Sequence, residues 1–432
     1  MTTSPADSPS RFQRLIPWAL LLALLLASFV WIRRPDAHGL RPGIGGGDFG
    51  SYLLVGKLAL EGGHIYEDAG KGVNTWPPFF SLLCIPFALL GRPTPYLARI
   101  AWLALNYLLL WEVLRILVRL VYQREISWWM APGKMSVLSP EIFLPLVACA
   151  RFILSNFEHL QVQIVLFALT VLALDLHARG RAIAGGIWLG FVAALKVMPI
   201  VFVAYFAFRR QWRFAFAAAI ATATFSLSPV VVYGTQRFID YMAAWRGALQ
   251  TGWSVGKMNQ SVFAMIDRSI GYAVTPWNVN ARDSLTALRP GAAMVATLCV
   301  LGIVVIYFLR LVTGKYSLDS WLALVDYGIV FIVSATFGPV AWKSYFVVLL
   351  FPTTVLVGLI RREVLSQNQR RMAILILLLF FAVAAMPSQA LVGMAFAWDV
   401  DMLSGPVLGS LGLLAFLLWL HPRLTSNPMA FC

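Results

Sequence analysis

The chain has 432 residues, 60% of them hydrophobic and only 12% charged, with a mean hydropathy of +0.77. Soluble domains carry about 45–50% apolar and about 25% charged residues, so this composition excludes a soluble enzyme, a disordered protein and a coiled coil. Lys and Arg number 34 against 19 Asp and Glu, a formal charge of +15, yet they sit in small groups between apolar runs rather than on a stripe with interleaved aromatics, which argues against a nucleic-acid partner.

A hydrocarbon core of about 30 Å takes about 20 apolar residues to cross. Arg11 and Arg14 precede an apolar run from Ile16 to Ile32. That run is long for a signal peptide and no Ala-x-Ala site follows, so it predicts an uncleaved first membrane helix with its N-terminus inside. Residues 33–96 form a first outer loop containing Gly45-Gly46-Gly47-Asp48. Within it, Pro77–Leu90 is short and carries Pro77, Pro78 and Pro86, which predicts a re-entrant or interfacial piece. Apolar runs follow at 97–121, 140–154, 161–177, 183–195, 199–208 and 214–233. A second outer loop spans 234–290, and further runs lie at 291–311, 321–337, 344–360, 372–391 and 403–420. The expectation is one all-α polytopic domain over residues 1–432, with about twelve crossings and both termini inside.

Arg179/Arg181, Arg209/Arg210/Arg213, Arg310/Lys315, Arg361/Arg362/Arg370/Arg371 and Arg423 all fall on one side if the runs alternate. The positive-inside rule makes that side cytoplasmic. Cys84, Cys149, Cys299 and Cys432 include no C-x-x-C pair, so neither a disulfide framework nor a zinc site is expected.

The polar residues that apolar helices tolerate least cluster at the opposite, outer ends: Asp48, Glu158, His159, Gln161, Gln163, Lys196, Asn259, Gln260, Arg268 and Lys343. Ionisable groups at membrane depth are costly and default to functional candidates. Lys196 lies between two short runs, and Pro199 breaks the helix there. Its ammonium either meets a phosphate as a point charge or snorkels at the interface. Asp48 is a candidate general base, with Glu61, Glu67 and Asp68 as competitors. Trp76 and Trp342 are placed to floor a sugar site. Asp399-Val400-Asp401 has a D-x-D shape but falls on the outer side, where nucleotide sugars are scarce, and Gly186-x-x-x-Gly190 reads as helix packing. No H-E-x-x-H motif or other metal-ligand cluster is present in the sequence, and no cofactor is expected.

Asp48-Phe49-Gly50-Ser51-Tyr52, Gly62-Gly63-His64-Ile65-Tyr66 and Trp76-Pro77-Pro78 together resemble the first outer loop of glycosyltransferase family 87, polyprenol-phosphate-mannose-dependent mannosyltransferases of the GT-C fold. Gln161-Val162-Gln163, Lys196-Val197-Met198-Pro199 and Asn259-Gln260-Ser261 with Arg268 extend the resemblance. It implies an inverting membrane hexosyltransferase on the outer face of a bacterial cytoplasmic membrane. The donor would be a polyprenyl-phosphate sugar carrying mannose, and the acceptor a glycan or glycolipid. The family's first-loop acid corresponds to Asp48, and the lysine of its Lys-x-x-Pro element to Lys196. Arg268 and Lys343 join Lys196 as expected phosphate contacts. Tyr52, Tyr66, Trp76, His159, Gln161, Gln163, Asn259, Gln260 and Trp342 are the expected substrate contacts. The chain departs from the family pattern at Gln163, at Trp76, where the family has Tyr-x-Pro, and in Gly338–Tyr345, where Lys343 stands in place of a histidine's phosphate contact. A transporter or flippase of a lipid-linked or polar solute is the alternative, and a membrane scaffold a third reading.

Overall fold

The computed structural model describes residues 11–33, 48–70, 73–128, 133–251, 256–274 and 320–424, with a few helical positions between 294 and 307. Gly45–Gly47, Arg34, most of the run at 291–311, Arg310, Lys315, Cys299 and Cys432 lie outside the described residues.

In hydrocarbon no water satisfies the backbone, so helices carry it. In chain order these are α1 (Arg11–Arg33), α2 (Asp48–Glu61), α3 (Pro78–Leu90), α4 (Pro95–Tyr122), α5 (Pro140–Ala148), α6 (Ala150–Glu158), α7 (Gln163–Ala178), α8 (Ala182–Leu195), α9 (Ile200–Phe208), α10 (Trp212–Leu227), α11 (Pro229–Tyr233), α12 (Thr235–Thr251) and α13 (Val262–Val274). There follow α14 (Trp321–Thr336), a 3₁₀ segment Lys343–Leu349, α15 (Leu350–Arg361), α16 (Gln367–Phe380), α17 (Gln389–Val392), α18 (Met394–Met402) and α19 (Gly405–Leu420). A two-residue parallel pair, Ile126–Ser127 with Met135–Ser136, is the sheet among the described residues.

Among the described residues, five helical stretches are long and apolar enough to cross a membrane: Pro95–Tyr122, Trp212–Tyr233, Lys343–Arg361, Gln367–Ala385 and Gly405–Arg423. A sixth is α5 with α6, bent by 62° at their junction. These bear out an all-α membrane protein, and among the described residues they account for five or six of the expected crossings by length. At 1.5 Å per residue, the 14–16 residues of α7, α8 and α14 reach about 21–24 Å, short of a full core. The stretches expected as outer loops contain helices among their described residues, α2 and α3 in 33–96 and α12 and α13 in 234–290. With 13 residues, α3 is too short to span, as Pro77–Leu90 predicts.

Close helix approach needs small residues where side-chain hydrophobicity cannot drive association. Gly186 and Gly190 lie four apart on one face of α8 and admit the backbone of α10. A Cβ on Gly190 would sit 2.5 Å from the Ala218 carbonyl oxygen, and one on Gly186 2.6 Å from that of Phe214.

The two ends of the helical body differ chemically. At one end Arg119 and Arg179 hold Asp175 at 2.7 and 3.0 Å, Arg361 holds Glu141 at 2.8 Å, and Arg362 bonds the Tyr122 carbonyl at 2.6 Å. The opposite ends of α6 and α7 lead to Asp48 and its neighbours.

Candidate active site

Asp48 opens α2. Its backbone N–H donates to the His159 carbonyl at 3.2 Å, and the Gln161 amide donates to its Oδ2. A helix N-terminus favours a carboxylate, and Gln161 fixes which way this one points. Phe49 and Tyr52, both buried, anchor α2 on Trp102, with ring centroids at 5.1 and 5.8 Å. Trp102 in turn donates its indole N–H to the Leu160 carbonyl at 2.9 Å, so the turn carrying His159 and Gln161 is tied to the same cluster.

Tyr52 meets Trp76 edge-on at 5.7 Å, and Trp76 stacks on Phe80 at 4.6 Å. The Tyr66 hydroxyl donates to the Trp76 carbonyl at 2.7 Å. Burial first, then Tyr233 and Tyr241, pushes the Tyr66 phenol well above its ordinary range, which keeps it a donor. Tyr66 thus braces Trp76 through the backbone.

Lys196 leaves α8 in an extended conformation, φ −156° and ψ 125°. Its Nζ lies 3.5 Å from the ring centroid of Tyr345 and 4.5 Å from that of Trp76. It is shielded from solvent and has no hydrogen-bond partner. The Asp48 carboxylate is close enough to act electrostatically on Lys196, Tyr52 and Tyr345. Lys196, Gln163, Ser334 and Tyr345 give a polar head to a narrow cleft of about 30 Å³, whose walls include Phe167, Phe202 and Phe331. The Gln163 amide nitrogen is buried there without a partner.

A second group forms beside it. Asp401, wholly buried, accepts from Arg151 Nη2 at 2.6 Å and Lys343 Nζ at 3.0 Å. Gln260 donates its amide to the Asp401 carbonyl and its backbone N–H to the Ala341 carbonyl, both at 2.7 Å. Asn259 bonds the Pro339 carbonyl and the Ala341 N–H, each at 3.0 Å. Arg268, with no exposed surface, donates to Ser404 Oγ and to the carbonyls of Gly256 and Asn259. These residues clamp the turn before the 3₁₀ segment, which places Trp342, half-buried, and Tyr345.

The structure therefore brings Asp48, Tyr52, Trp76, Gln161, Gln163 and Lys196 to one place. It turns Arg268 and Lys343 toward protein partners, and sets Asn259 and Gln260 on backbone groups. His159 contributes its carbonyl to Asp48, and its half-buried imidazole stands next to Gln161's turn. Sequence reasoning did not single out Tyr345, Trp102 or Arg151. Arg151 carried a usable signal, a charge inside the apolar run 140–154. Among the described residues no three His, Cys, Asp or Glu side chains gather as a metal site.

The model of glycosyltransferase family 87 matches residues 74–334, a span that includes Trp76, Gln161, Gln163, Lys196 and Arg268 and excludes Asp48 and Tyr345. The chain is 26% identical over 417 residues, 90% of each chain, to the polyprenol-phosphate-mannose-dependent alpha-(1-2)-phosphatidylinositol mannoside mannosyltransferase of Mycobacterium tuberculosis. It is also 26% identical over 272 residues, 60% of each chain, to the protein of the same name from Mycolicibacterium smegmatis. No solved structure matches it significantly. With more than half of its length matched by the family model, and with the apolar helices of an integral membrane protein, this chain belongs to glycosyltransferase family 87.

Proposed function

We propose that the protein transfers mannose, with inversion, from a polyprenyl-phosphate donor to an outer-face glycolipid, and that the acceptor is of the phosphatidylinositol mannoside kind named for its relatives. The observation that carries this reading is the pairing of a Gln161-oriented Asp48 with an unbonded Lys196 in one aromatic-walled site. Asp48 takes the proton of an acceptor hydroxyl as that oxygen bonds the anomeric carbon. The bond from that carbon to the phosphate oxygen breaks with its electron pair, and polyprenyl phosphate leaves. Lys196 meets the charge that grows on the phosphate, a contribution made large by a dry site. One carboxylate is enough, because the phosphate leaves without a proton.

In a transfer assay with polyprenyl-phosphate mannose, Lys196→Arg is expected to keep partial activity and Lys196→Met to lose most of it. Removing one such donor costs about 2–4 kcal/mol of transition-state stabilisation. A fully active, normally folded Met variant would return Lys196 to interface snorkelling.

The outer-face placement rests on the basic end formed by Arg119, Arg179, Arg361 and Arg362, which the positive-inside rule assigns to the cytoplasm. Cysteines replacing Asp48 and Gly256 are expected to react with an impermeant thiol reagent added to intact cells, and one replacing Arg210 is not. The reverse labelling would move the site to the inside.

A further inference from the structure

We infer that Tyr345 is a positioning residue, whose ring face holds the Lys196 side chain in place with its N–H donors unbonded, ready for the phosphate of the donor. This rests on the reading of Lys196 as the phosphate contact.

The other buried cations of this region are used up by the protein. Arg151 and Lys343 are bonded to Asp401, and Arg268 to Ser404 and two carbonyls. Lys196 differs. It is held by two aromatic faces, and none of its three N–H groups has an acceptor. An aromatic face attracts a cation through its quadrupole and leaves the N–H donors unused. A carboxylate partner would do the opposite, neutralising the charge and filling the donors. Asp48 is near enough to act on Lys196 electrostatically but is bonded to Gln161 instead. Tyr345 and Trp76 therefore hold Lys196 without filling its donors.

The ring is fixed to do this. Tyr345 lies in the 3₁₀ segment, with its N–H on the Trp342 carbonyl at 2.8 Å. Asn156 holds the Ser344 carbonyl at 2.9 Å, and Lys343 is anchored on Asp401. Lys343 and Ser344 are thus tied to separate parts of the fold, and Tyr345 follows them directly. Tyr345 also lines the cleft beside Gln163 and Ser334, so a phosphate displacing the ring contact finds further polar groups at hand.

The test measures binding of polyprenyl phosphate by purified protein in nanodiscs, and transfer separately, for wild type, Tyr345→Phe, Tyr345→Leu, Tyr345→Met, Lys196→Met and the double variant Lys196→Met/Tyr345→Leu. Phe keeps the ring face and is expected to bind within about threefold of wild type. Leu and Met remove the face and are expected to weaken binding about tenfold and raise the donor KM alike, with the acceptor KM unmoved. Two ring-free variants guard against one misfolding. The double variant is expected to bind no worse than Lys196→Met, because Tyr345 acts through Lys196. Normal binding by Leu or Met, weak binding by Phe, or multiplying penalties in the double variant would each overturn the inference. A normally binding Lys196→Met is a distinct failure, that of the phosphate reading itself.

Discussion

Asp48→Asn is expected to abolish sugar transfer while leaving folding and donor binding nearly intact. The substitution preserves size and can still accept from Gln161, but it removes the proton acceptor. A neutral sugar hydroxyl is a poor nucleophile, and a positioned base contributes about 10²–10⁴-fold. The neighbouring acids give the control. Glu61 is exposed and paired with Lys57 at 3.9 Å, and Asp68 caps the His64 N–H at 2.6 Å in the turn after α2. Glu67 is exposed in the same turn. Glu61→Gln, Glu67→Gln and Asp68→Asn are expected to stay within about tenfold of wild type, since none of them gains or loses a contact to the aromatic site. Rates for the four variants with one lipid-linked donor decide the matter: a dead variant other than Asp48→Asn would reassign the base.

Asp401→Asn is expected to produce the largest loss of stability among single substitutions in the outer clamp. The side chain is wholly buried and faces Arg151, 5% exposed, and Lys343, 14% exposed. Removing its charge leaves two cations facing each other without a counter-charge. Breaking a buried pair in this way costs about 3–5 kcal/mol. Asp399, two residues earlier and exposed, is the matched control, and Asp399→Asn is expected within about 0.5 kcal/mol of wild type. Thermal unfolding in one detergent measures both. Equal midpoints for the two variants would show that the Arg151–Asp401–Lys343 group does not hold the turn.

How much of this was legible in the sequence depends on the kind of signal. Short helices bounded by Lys196 and Pro199, the proline-rich Pro77–Leu90 and the Gly186–Gly190 spacing are local patterns, and each has its counterpart in the coordinates. So does the gathering of Asp48, Gln161, Lys196 and Trp76, because helix ends on one side of a bundle must meet. What a linear reading does not supply is how charges pair across 250 positions. Arg151 and Asp401 each look like isolated ions in apolar sequence, and only tertiary packing makes them partners. For the same reason Arg268 and Lys343 read as free cations on the outer face, whereas burial turns them to Ser404 and Asp401. Apolar runs mark hydrophobicity rather than length, and α7, α8 and α14 are apolar but only 14–16 residues long.

Use of a lipid-phosphate sugar as donor is tested most directly by transfer itself. Purified protein in nanodiscs, given radiolabelled polyprenyl-phosphate mannose and a phosphatidylinositol mannoside acceptor, is expected to move label to the acceptor. The same protein given radiolabelled GDP-mannose is expected to move none. Label passing from the nucleotide sugar, or no transfer from the lipid donor while reconstituted vesicles carry that donor across the bilayer, would contradict the account.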